Sequence, residues 1–208
     1  MEQKTIQRAY NFEIRAENSE ENGNYITGRP IVYDSKTDLG WFDEVIERGA
    51  LDKTDLKDVR FLVNHNTDMI PLARSRNNNA NSTMQMSVDE DGMAIRVNLD
   101  TENNVEAKSL YSAIQRGDIS GMSFMFSIND EEWSDLDTDH PTRHIREIGQ
   151  VLEVSAVTFP AYEDTEISAR DKEALESAKA TLDSVKRSLD SDKENLELEK
   201  AKNRNRKI

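Results

Sequence analysis

A serine, a histidine and a carboxylate stand in three short segments of this chain, and together they are the parts of an activated hydroxyl nucleophile. Leu62-Val63-Asn64-His65-Asn66 ends an apolar run on a histidine. Ile119-Ser120-Gly121-Met122-Ser123-Phe124-Met125-Phe126 sets serines beside a glycine at the start of a strand-like alternation. Val151-Leu152-Glu153-Val154-Ser155-Ala156-Val157-Thr158 puts one carboxylate into an otherwise apolar strand pattern. A hydroxyl is a weak nucleophile until a neighbouring base takes its proton, and histidine titrates nearest neutrality. A carboxylate then holds the imidazole in one tautomer. The chemistry of such a set is hydrolysis by acyl transfer.

Each member has a plainer reading. Strand alternation places Met122, Phe124, Phe126 and Ile128 on one face, the buried one, and turns Ser123 to the other. There its hydroxyl faces either a cleft or simply solvent. Ser120 is a rival nucleophile, although turn chemistry with Gly121 accounts for it more simply. His65 closes a strand and enters an Asn-rich loop, a usual place for a catalytic group. A half-buried histidine bonded to backbone fits equally well. Glu153 shares a face with Val151, Ser155 and Val157, and a buried carboxylate is costly unless a cation or donor meets it. Histidine is a natural donor; an edge position facing water or Arg146 is the alternative. Glu147 is a weaker competitor in a more polar stretch. The other two histidines, His140 and His144, have the i, i+4 spacing of a metal pair. Pro141 opposes a helix there and the chain has no cysteine, so no metal site is expected.

The elements that must position these residues are mostly strands. Tyr10 to Ile14 alternates, and Tyr25 to Tyr33 follows the polar loop Asn18–Asn24. Val59–Val63 leads as a strand into His65. Ser82–Val88 and Met93–Leu99 flank Asp89-Glu90-Asp91-Gly92, a strong hairpin signal. One clear helix starts at Asp100 or Thr101, presents Ala107, Leu110, Tyr111 and Ile114 on its apolar face, and stops at Gly117. A weaker helical pattern covers Glu44–Leu56. Strands over Met122–Ile128 and Val151–Thr158 are joined by an acidic loop containing Asp130 to Asp139. The expected body is α+β and strand-rich.

All eight glycines and all four prolines lie at or before Pro160, which sets a boundary near 161–170. Beyond it Leu175, Leu182, Leu189 and Leu196 recur every seven residues, with Ala178 and Val185 between them and the polar Asp192 interrupting the seam. The basic end, Lys202 to Lys207, should fray. The predicted division is a body over 1–165 and a charged helical tail over 166–208. With 41 acidic and 27 basic residues the formal net charge is −14, and the tail is nearly balanced, so the acidity belongs to the body. Such a chain is a poor general ligand for nucleic acid. The absence of cysteine fits a reducing compartment. No apolar run approaches the ~20 residues of a membrane span, and the N-terminus lacks a signal-peptide h-region. A soluble, intracellular protein with no membrane and no nucleic-acid partner is expected.

At the same segments the chain resembles the prohead proteases of tailed bacteriophages, the HK97-type family related in fold to herpesvirus assemblin. The resemblance is carried by Gly28-Arg29-Pro30-Ile31-Val32-Tyr33-Asp34, by Glu44 to Leu51 ending Gly49-Ala50-Leu51, and by His65 with downstream Pro71-Leu72-Ala73-Arg74. It continues through Gly117-Asp118-Ile119-Ser120-Gly121-Met122-Ser123-Phe124 and closes on Glu153-Val154-Ser155-Ala156-Val157-Thr158-Phe159-Pro160-Ala161. Order and spacing agree over about residues 8–165. Ala73 stands where the family usually has glycine, and Asn66 where it often has aspartate. Neither departure removes a catalytic atom.

The resemblance implies an assemblin-like β-barrel body with Ser123 as nucleophile, His65 as base and Glu153 as third member. His144 would instead restore the second histidine of assemblins. It implies a serine endopeptidase without cofactor, acting inside the immature prohead in the host cytoplasm. Its partners would be the major capsid protein with its scaffolding domain, the protease itself, and copies of the tail helix. A non-catalytic scaffold protein would share the acidity and the heptads but has no need of the three residues together. An esterase would use the same residues, yet no Gly-x-Ser-x-Gly elbow is present.

Overall fold

The computed structural model describes residues 5–10, 14–20, 23–159 and 171–188. Eleven strands and two helices follow one another as β1 (Thr5–Tyr10), β2 (Ile14–Ser19), β3 (Gly23–Val32), β4 (Thr37–Asp38), β5 (Asp43–Ile46), β6 (Asp58–Val63), β7 (Ala73–Arg76), β8 (Met84–Asp89), β9 (Gly92–Asn98), α1 (Val105–Arg116), β10 (Gly121–Ser134), β11 (Thr142–Val157) and α2 (171–188). One sheet runs β1-β10-β11-β5-β4, with β6 also on β11 and β7 on β6. A second, four-stranded sheet runs β2-β3-β9-β8. The architecture is α+β and strand-rich. Among the described residues the pairing does not close into the expected barrel.

The two sheets enclose one apolar core, with Ile26, Ile31, Met84, Met93 and Val97 facing Met122, Phe124, Phe126, Ile148 and Val154. The Asp89–Gly92 hairpin forms as expected, and Gly92 at φ 132 is the one residue type that fits, because a Cβ there would lie 2.1 Å from the Ile31 carbonyl oxygen. Helix α1 buries Ala107, Leu110 and Ile114 and ends on Gly117 at φ 79. Its cap is Asn104, three to four residues beyond the expected start at Asp100 or Thr101. Asp100 instead accepts the Asn103 N–H at 3.0 Å and closes a turn before the helix.

Two expectations are corrected. Glu44–Leu56 is not helical: Asp43–Ile46 pairs in parallel with Thr142–Ile145, and the chain then turns at Gly49 (φ 89). Ala50 and Leu51 are buried from turns, which imitates helical spacing in the sequence. The acidic segment from Asp130 is not a loop as far as Ser134, because β10 and β11 continue as a ribbon whose charges pair across strands, Glu131 with Arg143 and Glu132 with Arg146. The strand expected at Tyr10–Ile14 is divided, with residues 11–13 outside the described ones. The 161–170 boundary, Leu189, Asp192, Leu196 and the basic end also lie outside them. Of the heptad positions that are described, Leu175 packs on the body while Val185 is exposed.

Strands β1, β5 and β11 of the large sheet and helix α2 meet at a buried ion cluster. Arg8 of β1 donates from Nε and Nη2 to Glu44 at 2.5 and 2.8 Å, and from Nη2 to Asp171 of α2 at 2.9 Å. Arg143 lies 3.4 Å from Asp171 and 3.5 Å from Glu44. Two cations and two carboxylates thus compensate each other out of water, and removing one leaves its partners exposed to the full desolvation penalty. Glu44→Gln should lower the unfolding free energy by on the order of 3 kcal/mol in urea titrations at neutral pH. A loss below about 0.5 kcal/mol, the size of a surface change, would contradict this.

Arg29 clasps Asp89 at 2.6 and 2.7 Å, and this guanidinium is the main reason that the carboxyl is held down at about 2 rather than 3.8. A lowered carboxyl stabilises the fold above its ordinary value and loses that contribution as pH falls through the folded one. The Tm advantage of the natural chain over Asp89→Asn should therefore be constant above about pH 5 and fall away as the pH drops to 2 and below. An advantage that persists undiminished at pH 2 would contradict the assignment.

Candidate active site

The site is built where three strands of the large sheet lie side by side. β11 is central, with β10 antiparallel on one side and β6 parallel on the other. Glu153 and Ser155 are two residues apart on β11 and share a face. Ser123 of β10 is the direct partner of Ser155, and therefore stands on that face too. β6 pairs Arg60–Val63 with Glu153–Ala156, which delivers the next two residues, Asn64 and His65, beside Ser155.

His65 and Glu153, 88 positions apart in sequence, meet here: Nδ1 of the ring is 2.5 Å from Oε1. An ionised carboxylate can only accept, so Nδ1 carries the proton and Nε2 of the neutral ring keeps its lone pair. The Glu153 side chain is 4% exposed and that of His65 18%, so the imidazole is open to one side while the carboxylate is closed in. The second carboxylate oxygen accepts the Ser155 hydroxyl at 2.5 Å, and that hydroxyl accepts the His65 backbone N–H at 3.1 Å.

Asn64 and His65 both have left-handed backbones, φ 50 and 55. Such a pair of non-glycine residues costs roughly 1–3 kcal/mol each and persists only where neighbours hold it. The Asn64 N–H donates to the Ala156 carbonyl at 3.0 Å. Its carboxamide oxygen accepts the Thr158 N–H at 2.9 Å, and its amide donates to the Thr158 hydroxyl at 3.1 Å. The end of β11 therefore fixes the turn that carries the imidazole.

Ser123 is fully buried, and its hydroxyl donates to the Arg8 carbonyl of β1 at 2.7 Å. The face opposite the core is thus covered at this point rather than open as the alternation suggested. Among the described residues no hydrogen bond joins Ser123 to His65; Ser155 lies between them. Ser120 sits in the turn before β10. His144 is at the far end of β11, bonded to the Ser134 hydroxyl at 3.1 Å and 3.1 Å from Glu47. Glu147 accepts from Lys53 at 3.0 Å and from Asn129 at 3.1 Å, and those two donors hold its carboxyl below the usual range. Neither approaches His65 by any hydrogen bond.

His140 and His144 diverge. His140 lies 3.1 Å from Asp43 and 3.5 Å from Asp38, and these three could offer ligand atoms to a cation. Lys36 already pairs with Asp43 at 2.5 Å and, ahead of His140, draws that carboxyl below its ordinary value. Three residues of the site had no role assigned from sequence: Ser155, Asn64 and Thr158. Their signal was present in the polar residues that interrupt two apolar strand ends.

A histidine held by a carboxylate beside a serine is the component set of hydrolases that work through an activated hydroxyl. The profile of the caudovirus prohead serine protease family matches residues 10–180, and the chain belongs to that family. It is accordingly a peptidase of phage capsid maturation. No curated protein sequence matches the chain. Among solved structures it is similar to the capsid assembly protease gp21 of bacteriophage T4, with a TM-score of 0.44 and 13% identity, over 77% of this chain and 100% of that one.

Glu153→Gln should lower peptide hydrolysis by on the order of 100-fold or more, because an amide no longer enforces the tautomer. His144→Ala should stay near the natural rate. Rates measured on both purified variants check this; the opposite ranking would transfer the third role to His144.

Proposed function

We propose that this chain is a serine endopeptidase that digests the scaffolding part of the major capsid protein, and itself, inside the immature prohead. Ser123 is the nucleophile, His65 the general base and Glu153 the group that orients the imidazole. The observation that carries the reading is the 2.5 Å contact between His65 Nδ1 and Glu153, made one strand away from Ser123.

In the reaction the Ser123 hydroxyl exchanges the Arg8 carbonyl for Nε2 of His65. As Oγ bonds to the scissile carbonyl carbon, its proton passes to Nε2. The imidazolium, held by Glu153, returns that proton to the leaving amine as the C–N bond breaks. Water then attacks the acyl-enzyme with His65 again as base, releasing the acid and restoring the serine. Every proton-transfer group is a side chain of the protein, so the scheme needs no cofactor.

The division into a protease body over 1–165 and a tail over 166–208 belongs to the same reading, with the tail helix docking on scaffold helices or on its own copies. Because Asp171 and Leu175 are packed against the body, the partner-facing part of the tail begins beyond them. In that reading the enzyme works in the host cytoplasm, within the prohead. Among the described residues no helix is long and apolar enough to cross a membrane.

Co-expression with the capsid protein of the same phage tests the chemistry. The natural chain should cleave the capsid protein or itself, and Ser123→Ala should do neither. Cleavage that persists in the variant would remove Ser123 from its role, and normal assembly without cleavage by either form would favour a scaffold. Deleting residues 189–208 should leave hydrolysis intact and reduce the protease found in purified proheads; unchanged incorporation would overturn the docking role.

A further inference from the structure

We propose that Ser155 is a positioning residue of the reaction, a bridge that fixes both the carboxylate and the main chain of the histidine; this rests on the reading of Ser123, His65 and Glu153 above. The hydroxyl of Ser155 is fully buried and uses its capacity in both directions. It donates to Glu153 Oε2 at 2.5 Å and accepts the His65 N–H at 3.1 Å. The other carboxylate oxygen holds the ring of the same histidine. These three bonds close a loop: the His65 ring to Glu153, Glu153 to Ser155, and Ser155 to the His65 backbone.

The loop has a mechanical meaning. Glu153 alone restrains the ring at Nδ1, but a left-handed residue at the end of an apolar strand could still swing about its backbone. The bond from the His65 N–H to Ser155 ties that backbone to β11, directly opposite Ser123 in the register. Removing the hydroxyl leaves a half-buried N–H and one buried carboxylate oxygen without these partners, and both then seek others. Displacements near 1 Å of a catalytic group cost on the order of 100-fold in rate. Ser155 touches no reacting atom in this scheme, so its loss should appear in kcat and leave KM nearly unchanged.

Three variants of the full chain separate this role from packing. Ser155→Ala removes the hydroxyl. Ser155→Thr and Ser155→Val add nearly the same bulk, and only the first keeps the hydroxyl. With purified capsid protein as substrate, Ser155→Ala should lose on the order of 10- to 100-fold in kcat at little-changed KM. Ser155→Thr should exceed Ser155→Val by at least about tenfold. Labelling of Ser123 by a fluorophosphonate, followed by mass spectrometry, should slow in the same order. Natural kcat in Ser155→Ala, or equal rates for the threonine and valine variants, overturns the positioning role. If Ser155→Ala does not fold, the threonine and valine pair decides; if neither of those folds, the alanine variant does. Ser123→Ala run alongside distinguishes the two failures: an inert Ser123→Ala with an unaffected Ser155→Ala sinks only this inference. Activity in Ser123→Ala with none in Ser155→Ala would make Ser155 itself the nucleophile and overturn both readings.

Discussion

The candidate site depends on how one carboxylate is kept in a strand that is otherwise apolar. Glu153 stands among Val151, Val154, Ala156 and Val157, all buried, where an ionised group survives only with donors on its oxygens. Ser155 and His65 supply them, one from the same strand and one from the end of β6. The need to satisfy Glu153 therefore pulls His65 onto the sheet. The left-handed backbones of Asn64 and His65 are held by two sets of bonds, those of Asn64 to Ala156 and Thr158 and those of His65 to Ser155 and Glu153.

A second buried charge network lies along the same sheet, and one residue belongs to both. The guanidinium of Arg8 meets Glu44 and Asp171, while its carbonyl accepts the Ser123 hydroxyl. β1 is thereby fixed to β5 and to Asp171 of α2 by charge, and to β10 by its ladder. The described part of the helix is not a free appendage: it buries Asp171 and Leu175, and Lys172 stands 4.9 Å from the centre of the Trp41 ring.

Local signals were legible where the physics is local. The Asp89–Gly92 hairpin and the Gly117 stop each rest on one backbone angle that favours glycine. The start of α1 was misplaced because Asp100 and Asn104 are both good caps, and only the surrounding turn selects the second. The segment after Glu44 was misread because its partner strand lies about a hundred residues away, and nothing in Val45, Ile46, Ala50 and Leu51 reports parallel pairing. Charge misleads in the ribbon from Asp130, where a run of acidic side chains reads as loop although basic ones face them across the strands. At the site, an acid inside an apolar strand marked Glu153, and a histidine at a strand end marked His65. The contact of Ser123 with β1 left no trace in the alternation, because it is made to the backbone carbonyl of Arg8, which any residue at that position would present.

The parallel contact of β6 with β11 also sets a clock. Strand pairs so distant in sequence form late, since a long loop must close before any contact rewards it. A chain emerging from the ribosome holds His65 long before Glu153 has been made, and about ninety further residues must appear first. Until β11 has inserted between β10 and β6, the imidazole has no carboxylate beside it. The His65–Glu153 pair is thus a property of the assembled sheet rather than of any local stretch of the chain.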